Sequence, residues 1–501
     1  MEPIVTIDIG TMSMRAILYD MEGKSLFIST YEYHATYLPR GYVEQETEDW
    51  QKGLLHTLQE MGAFLKEKGI HPAAISVTSQ RASVIPVDRA GNPLYRAITW
   101  QDKRSELISN DLAEDMSMQV IYRKTGLRAN PYFSLPKMMW VKSEMPDVYA
   151  KTYKFLGVQD YVIYLLTGEF KTDWSQAART MLMNIKTFKW STDMLAGSKI
   201  DGDLLPELQP PGSIAGSLHA DVASRTGMPE NIPVIMAGGD QQNAALALHI
   251  LKPGYAEANT GTGSFVIAFS GKPVFDRKCR VLCSASAMPG KWIVEAGIFN
   301  TGAIYRWYKE QFYQGKQATY EKLNEEAANS AVGANGVLLM PHFEGSAAPF
   351  WNPRAKGMFF NLSLGTTRGD MARSIFEGIA LEIAENIALI ESISGEIEEI
   401  SVAGGMTRAK LFNQIQSDVC YKPVVQYRNS EATSLGAAMS AGVTLGIFDS
   451  YTEAFRKLVG EEGSVCKPNA ENHIAYRRIQ ERREYLYDTL DKAEVYPKFV
   501  K

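Results

Sequence analysis

The amino-acid sequence predicts an α/β fold in which two domains each build a mixed sheet with helices on its faces. Three observations support this prediction. The chain has 501 residues, about the length of two large domains. Its first eighty residues or so alternate short β-branched runs, turns and one helical pattern. A Gly-Thr-x-Ser turn between two predicted strands occurs twice, at residues 10–13 and 261–264, half a chain apart.

The N-terminal pattern is strand, turn, strand, turn, strand, followed by a helix and a fourth strand. The strands are predicted at residues 4–8, 15–20, 26–33 and 74–78, because these runs are apolar and rich in β-branched residues. The helix is predicted from 48 to 68, where leucines and a methionine recur at helical spacing. A meander, a helix and a further strand predict a mixed sheet.

The second half repeats part of this order. Residues 255–260 and 265–270 are predicted as strands around the second turn, and a helix is predicted from about residue 409. A charged helix over residues 472–492 is expected on the surface. The repeat leaves an internal duplication and a chance match equally open. We place the domains at residues 1–245 and 246–501.

Composition argues against several classes of function. Hydrophobic residues make up 45% and charged residues 22%, which is typical of globular proteins. The net charge of −5 without a block of like charges argues against a nucleic-acid partner. We find no signal-peptide pattern and no apolar run long enough to span a membrane. Four cysteines, with only Cys279 and Cys283 closely spaced, indicate ordinary thiols in a reducing, cytoplasmic compartment.

The first Gly-Thr-x-Ser turn has the residues of a phosphate-binding loop. Asp8 ends a hydrophobic strand, so its carboxylate is placed at the rim of the sheet, where it could hold magnesium. Gly10 allows a tight turn whose N–H groups can face an anion, and Thr11 and Ser13 add hydroxyl donors. An ordinary hairpin turn explains the same residues. A second such turn would let two loops clamp a polyphosphate from both sides.

Asp240 follows two glycines and stands at a predicted helix start. A helix N-cap is one interpretation, because Asp is favoured there. A catalytic base is the other, and the two are compatible because a helix N-terminus stabilises an ionised carboxylate. The pair Gly404-Gly405 begins another loop, between a strand and a helix, where backbone can approach a flat ring or a ribose closely.

These motifs, in this order, resemble the FGGY family of carbohydrate kinases within the actin-like ATPase superfamily. The resemblance covers nearly the whole chain. Residues 8–15 and 261–264 are similar to its phosphate motifs, 402–418 to its adenosine motif and 431–442 to its second connecting motif. Residues 132–140 and 357–377 resemble its signature patterns, with Asn361 where Gly is usual. The resemblance implies two actin-like (ribonuclease H-like) ATPase domains flanking a catalytic cleft, ATP and Mg²⁺ as cofactors, and a small sugar or polyol as substrate.

The resemblance also implies roles for individual residues. Asp240 would be the catalytic base and Asp8 the metal ligand. The expected nucleotide-binding residues are Thr11, Ser13, Arg15, Thr262, Gly302, Gly404 and Gly405. The expected sugar-binding residues are Arg81, Ala82, Trp100, Asp102, Tyr132, Gln241 and Phe265. A homodimer or homotetramer is also expected.

The sugar pocket has mixed features. Several motifs are most similar to those of glycerol kinases, in which an Arg-Glu pair binds the polyol. Here the Glu position is Ala82, which removes a carboxylate acceptor, whereas Asp102 stands where xylulose kinases carry an Asp. The C-terminal half is also similar to autoinducer-2 kinases. We therefore expect phosphorylation of a primary hydroxyl of a ketose such as xylulose or a related compound, with glycerol kinase as an alternative. A non-catalytic nucleotide-dependent sensor or scaffold is the alternative of another class.

Overall fold

The computed structural model describes residues 2–315, 318–427 and 431–499. The strands of its N-terminal half are β1 (Ile4–Ile9), β2 (Ser13–Tyr19), β3 (Ser25–Glu32), β4 (Thr36–Leu38), β5 (Tyr42–Gln45), β6 (Ala74–Ser79), β7 (Ile85–Val87), β8 (Ala97–Ile98), β9 (Lys154–Leu156), β10 (Lys171–Asp173), β11 (Met183–Asn184), β12 (Lys189–Trp190), β13 (Glu207–Gln209), β14 (Ile214–Ser217) and β15 (Pro233–Gly239). The helices are α1 (Thr47–Lys68), α2 (Glu106–Met116), α3 (Met118–Thr125), α4 (Ser134–Glu144), α5 (Pro146–Lys151), α6 (Val158–Thr167), α7 (Trp174–Ala177), α8 (Thr192–Ser198), α9 (Ala220–Thr226) and α10 (Asp240–Ala247).

The C-terminal half continues the series. Its strands are β16 (Tyr255–Thr260), β17 (Ser264–Ser270), β18 (Leu282–Ala285), β19 (Trp292–Ile298), β20 (Leu338–Met340), β21 (Met358–Phe360), β22 (Glu399–Ala403), β23 (Val424–Tyr427) and β24 (Gly463–Cys466). Its helices are α11 (Gly302–Phe312), α12 (Tyr320–Asn329), α13 (Arg368–Ser394), α14 (Lys410–Cys420), α15 (Ala432–Thr444), α16 (Tyr451–Leu458) and α17 (Ala470–Lys492).

Two mixed sheets share one topology. The first has the order β14-β15-β6-β1-β2-β3, with β1, β6 and β15 parallel and β2 and β3 antiparallel to their neighbours. The second has the order β18-β19-β17-β16-β22-β23-β24, with β16, β22 and β23 parallel and β17 and β19 antiparallel. Each sheet therefore contains three antiparallel strands, then two strands parallel to the third, then an antiparallel edge strand (β14 or β24), and the second sheet adds β18 at its other edge. This shared order supports an internal duplication.

The central strand β1 is buried on both faces, and its alternating side chains serve two different cores. Val5, Ile7 and Ile9 pack towards α1 and α6 of the same half. The opposite face carries Ile4 and Asp8 and packs against α10 and α15. Helix α15 comes from the C-terminal half of the chain. The core of the N-terminal sheet is therefore closed by an element of the other half.

The elements predicted from the sequence are present, and their ends lie within two residues of the predicted ones. The predicted strand at 15–20 begins earlier, at Ser13, because the turn after Gly10 is tight. The helix predicted from 48 to 68 spans Thr47–Lys68 and ends at Gly69 in the left-handed conformation. The α/β fold class is confirmed. The domain boundary at residues 245 and 246 stays a prediction.

The contact between α10 and α15 gives a test of this packing. A Cβ atom at Gly436 on α15 would lie 1.9 Å from the backbone oxygen of Asn243 on α10, so the helices would have to separate. We expect Gly436→Ala to lower the midpoint of thermal unfolding by at least about 3 °C, despite the better helix propensity of Ala. The matched control is Gly271→Ala, where the nearest atom is 4.0 Å away. Equal midpoints for the two variants would contradict the close packing.

Candidate active site

The hairpin between β1 and β2 places the first predicted phosphate turn. The Gly10 N–H donates to the Ser13 oxygen at 2.9 Å, which closes the turn. Asp8 and Arg15 face each other in the register, and Arg15 Nη2 donates to Asp8 Oδ2 at 2.8 Å. Arg15 Nη1 donates to Glu431, immediately before α15. Burial raises the pKa of Asp8, although Arg15 opposes this shift.

The second predicted turn lies against two other glycine-containing segments. The Gly302 N–H donates to the Gly261 oxygen at 3.0 Å, and the Ala303 N–H donates to the Thr262 oxygen at 3.1 Å. Gly404 has φ +95°, and a Cβ there would lie 2.2 Å from the oxygen of Thr260. Only glycine fits this close approach. The predicted nucleotide-binding residues of the C-terminal half therefore lie together: Thr262, Gly302, Gly404 and Gly405. Most of their backbone faces solvent.

Asp240 is the first residue of α10, and Gly239 is the N-cap. Its Oδ1 accepts from the Gln241 N–H at 2.7 Å and lies 3.3 Å from Arg81 Nε. Gly239 lets Arg81 pass, since a Cβ there would lie 2.6 Å from the Arg81 Cδ. Burial raises the pKa of Asp240 to about 6, although the Arg81 charge acts in the opposite direction. The carboxylate is thus more basic than the helix N-terminus alone predicts.

Arg81 belongs to a buried ion-pair network that the sequence analysis missed. Its Nη1 lies 3.1 Å from Glu295 Oε2, and Arg179 Nη1 lies 3.2 Å from Glu295 Oε1. Burial alone would raise the pKa of Glu295, but Arg179 and Arg81 outweigh it and lower that pKa to about 2. Glu295 is a lone charge within the apolar strand β19, which is a signal of a paired buried residue.

Aromatic side chains from both halves surround this network. Trp100 and Tyr132 are in ring contact with centroids 5.5 Å apart, and Phe265 of β17 lies 5.6 Å from the Arg81 guanidinium. Trp100 Nε1 also donates to Thr11 Oγ1 at 3.3 Å, which connects the first phosphate turn to the aromatic wall. The structure therefore brings together Arg81, Trp100, Tyr132, Phe265 and Asp240.

Gln241 and Ala82 lie next to this group. The Gln241 Oε1 is buried and has no hydrogen-bond partner among the described residues, so it can accept from a ligand hydroxyl. Ala82 is buried with φ +66°. Its backbone oxygen, like those of Pro131, Tyr132 and Phe133, accepts from the buried Lys137 Nζ. Lys137 therefore holds the Ala82 loop against the start of α4.

The sugar-binding role of Asp102 stays a prediction, and the structure shows which internal partners its carboxylate has. Its carboxylate accepts from the Val43 N–H at 2.6 Å and from the backbone and guanidinium of Arg104 at 2.8–2.9 Å. Both side chains are buried, and Arg104 also pairs with Glu44. Asp102 is thus committed to internal bonds and offers no free acceptor to a ligand. These bonds stabilise the loop that follows Trp100.

The metal chemistry of the site depends on Asp8. In the described part of the chain no three His, Cys, Asp or Glu side chains are grouped to hold a metal by themselves. Magnesium needs only one or two carboxylates when phosphate oxygens complete its coordination. Asp8 lies close enough to Asp240 for its charge to raise that pKa, so two carboxylates face one region. The residues present fit such a shared site.

None of the described helices could cross a membrane.

Comparisons with known proteins cover both halves of the chain. The sequence model of the N-terminal domain of the FGGY family of carbohydrate kinases matches residues 3–247, and that of the C-terminal domain matches residues 256–445. A glycerol kinase of Thermococcus gammatolerans is 33% identical over 456 residues, which are 90% of each chain. The structure of Plasmodium falciparum glycerol kinase with ADP has a TM-score of 0.90 and 27% identity over 98% of each chain. The gluconate kinase of Lactobacillus acidophilus, with a TM-score of 0.93 and 23% identity over 100% of each chain, shows the fold alone.

The internal role of Asp102 can be tested by its effect on stability. We expect Asp102→Ala to destabilise the protein by about 3–5 kcal/mol, because a buried guanidinium loses its main partner. Thermal unfolding measures this effect. The control is Asp221→Ala, which removes an exposed pair with Arg225 and should change stability by less than about 1 kcal/mol. An unchanged unfolding midpoint together with lost ligand binding would restore Asp102 as a ligand-binding residue.

Proposed function

The chain belongs to the FGGY family of carbohydrate kinases, and on this premise we propose that it phosphorylates a primary hydroxyl of a ketose or polyol longer than three carbons. Members of this family are phosphotransferases that use ATP, so the chain is a kinase acting on a sugar or polyol. The proposal concerns the substrate, the magnesium ion and the residues that perform the transfer.

The observation that carries the proposed mechanism is the pair formed by Asp240 and Arg81. Asp240 accepts the proton of the attacking hydroxyl, and its raised pKa makes it a better base while leaving it mostly ionised at pH 7. Arg81 holds the carboxylate from one side through Nε. Phosphoryl transfer has a loose transition state, so orienting the hydroxyl matters more than a strong base.

The two turns are proposed to hold the phosphates of ATP. Thr11 and Ser13 contribute hydroxyls from the first turn, and Thr262 contributes from the second. The ribose and adenine can approach the backbone closely at three glycines, Gly302, Gly404 and Gly405. Arg15 contributes a positive charge near the phosphates. Asp8 would hold magnesium, which neutralises charge on the phosphate oxygens when bound. Homo-oligomerisation and a cytoplasmic location remain part of this proposal.

The substrate class is inferred from position 82. Glycerol kinases carry a carboxylate there, and the short Ala82 leaves more volume and no acceptor. Since Asp102 is occupied by Arg104, the acceptor proposed in its place is the unpartnered Gln241 Oε1. A flat face of Trp100 suits the C–H side of a sugar chain. These features support a ketose or polyol of four or more carbons.

Glycerol is the second candidate substrate, and a specific observation favours it. Relatives named glycerol kinase are 32–33% identical to this chain over about nine tenths of its length. In that case Gln241 and Asp240 would bind the hydroxyls without help from position 82. The two candidates differ in the rank order of substrates.

Asp240 gives the first test of the mechanism. We expect Asp240→Asn to lower kcat by about 10²–10⁴, because a positioned base is lost while the shape is kept. In the wild-type enzyme kcat/KM should fall about tenfold per pH unit below about pH 6, where Asp240 becomes protonated. Steady-state kinetics from pH 5 to 8 checks both statements. Near wild-type turnover of the Asn variant would remove Asp240 from the mechanism.

A substrate series tests the proposed specificity. We expect kcat/KM for xylulose, ribulose or erythritol to exceed that for glycerol, because a buried hydroxyl without its acceptor costs about 1–3 kcal/mol. Ala82→Glu should shift relative activity towards glycerol. Its control is Ala82→Gly, which leaves the acceptor missing and should not raise kcat/KM for glycerol relative to the other substrates. Efficient use of glycerol alone by the wild-type enzyme would favour the second candidate.

A further inference from the structure

We propose that Glu295 is a positioning residue for the sugar site, where it sets the orientation of Arg81 from the opposite half of the molecule. This inference rests on the proposed function. Glu295 lies on β19 of the C-terminal sheet, and its carboxylate is 1% exposed. Arg81 and Arg179 belong to the N-terminal half, in the segments that follow β6 and α7.

The geometry fixes the Arg81 guanidinium in one plane. Nη1 donates to Glu295 Oε2 at 3.1 Å and to Gln242 Oε1 at 3.2 Å, while Nε lies 3.3 Å from Asp240 Oδ1. No described residue accepts a hydrogen bond from Nη2, which leaves this donor for a substrate hydroxyl. Nη1 is thus engaged by Glu295 and Gln242 and Nε faces Asp240, while Nη2 is the donor that has no acceptor among the described residues.

Glu295 also separates two positive charges. Arg179 Nη1 lies 3.2 Å from Glu295 Oε1 and 3.1 Å from Ser284 Oγ, so one carboxylate bridges both guanidinium groups. The Arg179 guanidinium in turn lies 5.4 Å from the ring of Tyr132, which belongs to the aromatic wall. Without the Glu295 charge, the buried arginines would repel each other, and both walls of the sugar site would shift.

The other titratable groups that face this cluster are Asp8, Asp240, Glu257 and Tyr132. Glu257, on the neighbouring strand β16, is fully buried, and neither carboxylate oxygen has a hydrogen-bond partner among the described residues. Burial raises the pKa of Glu257 well above its usual value. The two arginines lower the pKa of Glu295 to about 2, so Glu295 is ionised and balances them, and its negative charge contributes to the raised pKa of Asp240.

Glu295→Gln keeps the size of the side chain and removes its charge. We expect KM for the sugar to rise at least about tenfold and KM for ATP to change less than about twofold. The acid limb of the kcat/KM profile should move to lower pH, because Arg81, no longer balanced by Glu295, stabilises ionised Asp240 more strongly. Glu295→Asp should return the acid limb towards its wild-type position, since the charge is restored, while KM stays raised.

The matched control is Glu382→Gln. Glu382 is a buried carboxylate on α13 that also pairs with an arginine, Arg483, outside the sugar site. Glu382→Gln should lower the midpoint of thermal unfolding, and it should leave the KM for the sugar and the acid limb of the kcat/KM profile unchanged. The inference is overturned if Glu295→Gln behaves like this control, or if it alters both KM values equally. If Glu295→Gln does not fold, the same comparison is made with Glu295→Asp alone, for which an unchanged sugar KM overturns the inference. A wild-type enzyme that phosphorylates no sugar or polyol would instead refute the proposed function before any variant is compared.

Discussion

The Arg81 guanidinium carries a full charge at a position that is only 3% exposed, and the arrangement of the site follows from the need to balance that charge. Asp240, at the start of α10, and Glu295, on β19, supply the balance from the two halves of the chain. The proposed base, the proposed sugar-facing donor and a contact between the two halves are thereby combined in one cluster. The raised pKa of Asp240 follows from the same burial, because water that would solvate the carboxylate is excluded.

The shared topology of the two sheets explains why the phosphate turns occupy equivalent places. Each turn joins the first two strands of a meander, after β1 in one sheet and after β16 in the other. Arg15 adds a connection between the halves, since it contacts Asp8 within the hairpin and Glu431 at the start of α15. The site is therefore built from repeated local elements and joined by a few charged side chains.

Much of the fold was predictable because it depends on local patterns. The strands around both turns and helix α1 follow from β-branched runs and helical spacing, which act over a few residues. The internal pairing of Asp102 was not predicted, because Arg104, two residues along the chain, turns back onto it, and the sequence alone does not show which charges pair internally. Glu295 and Arg179 were missed for a related reason: they are 116 residues apart, and only the docking of the two halves brings them together. Asp240 was identified through its motif, whereas its raised pKa depends on long-range burial.

The packing of α15 has a consequence for how the chain is made. The N-terminal sheet offers an apolar face that includes Ile4, Ile17 and Ile235, and part of its cover is α15, which ends at Thr444. During vectorial synthesis on the ribosome, that face stays uncovered until most of the polypeptide has been translated. Exposed apolar surface of this kind promotes aggregation of incomplete chains and attracts chaperones. Truncation before α15 would therefore leave a nascent product with an open core, even though the six strands of the first sheet would all be present.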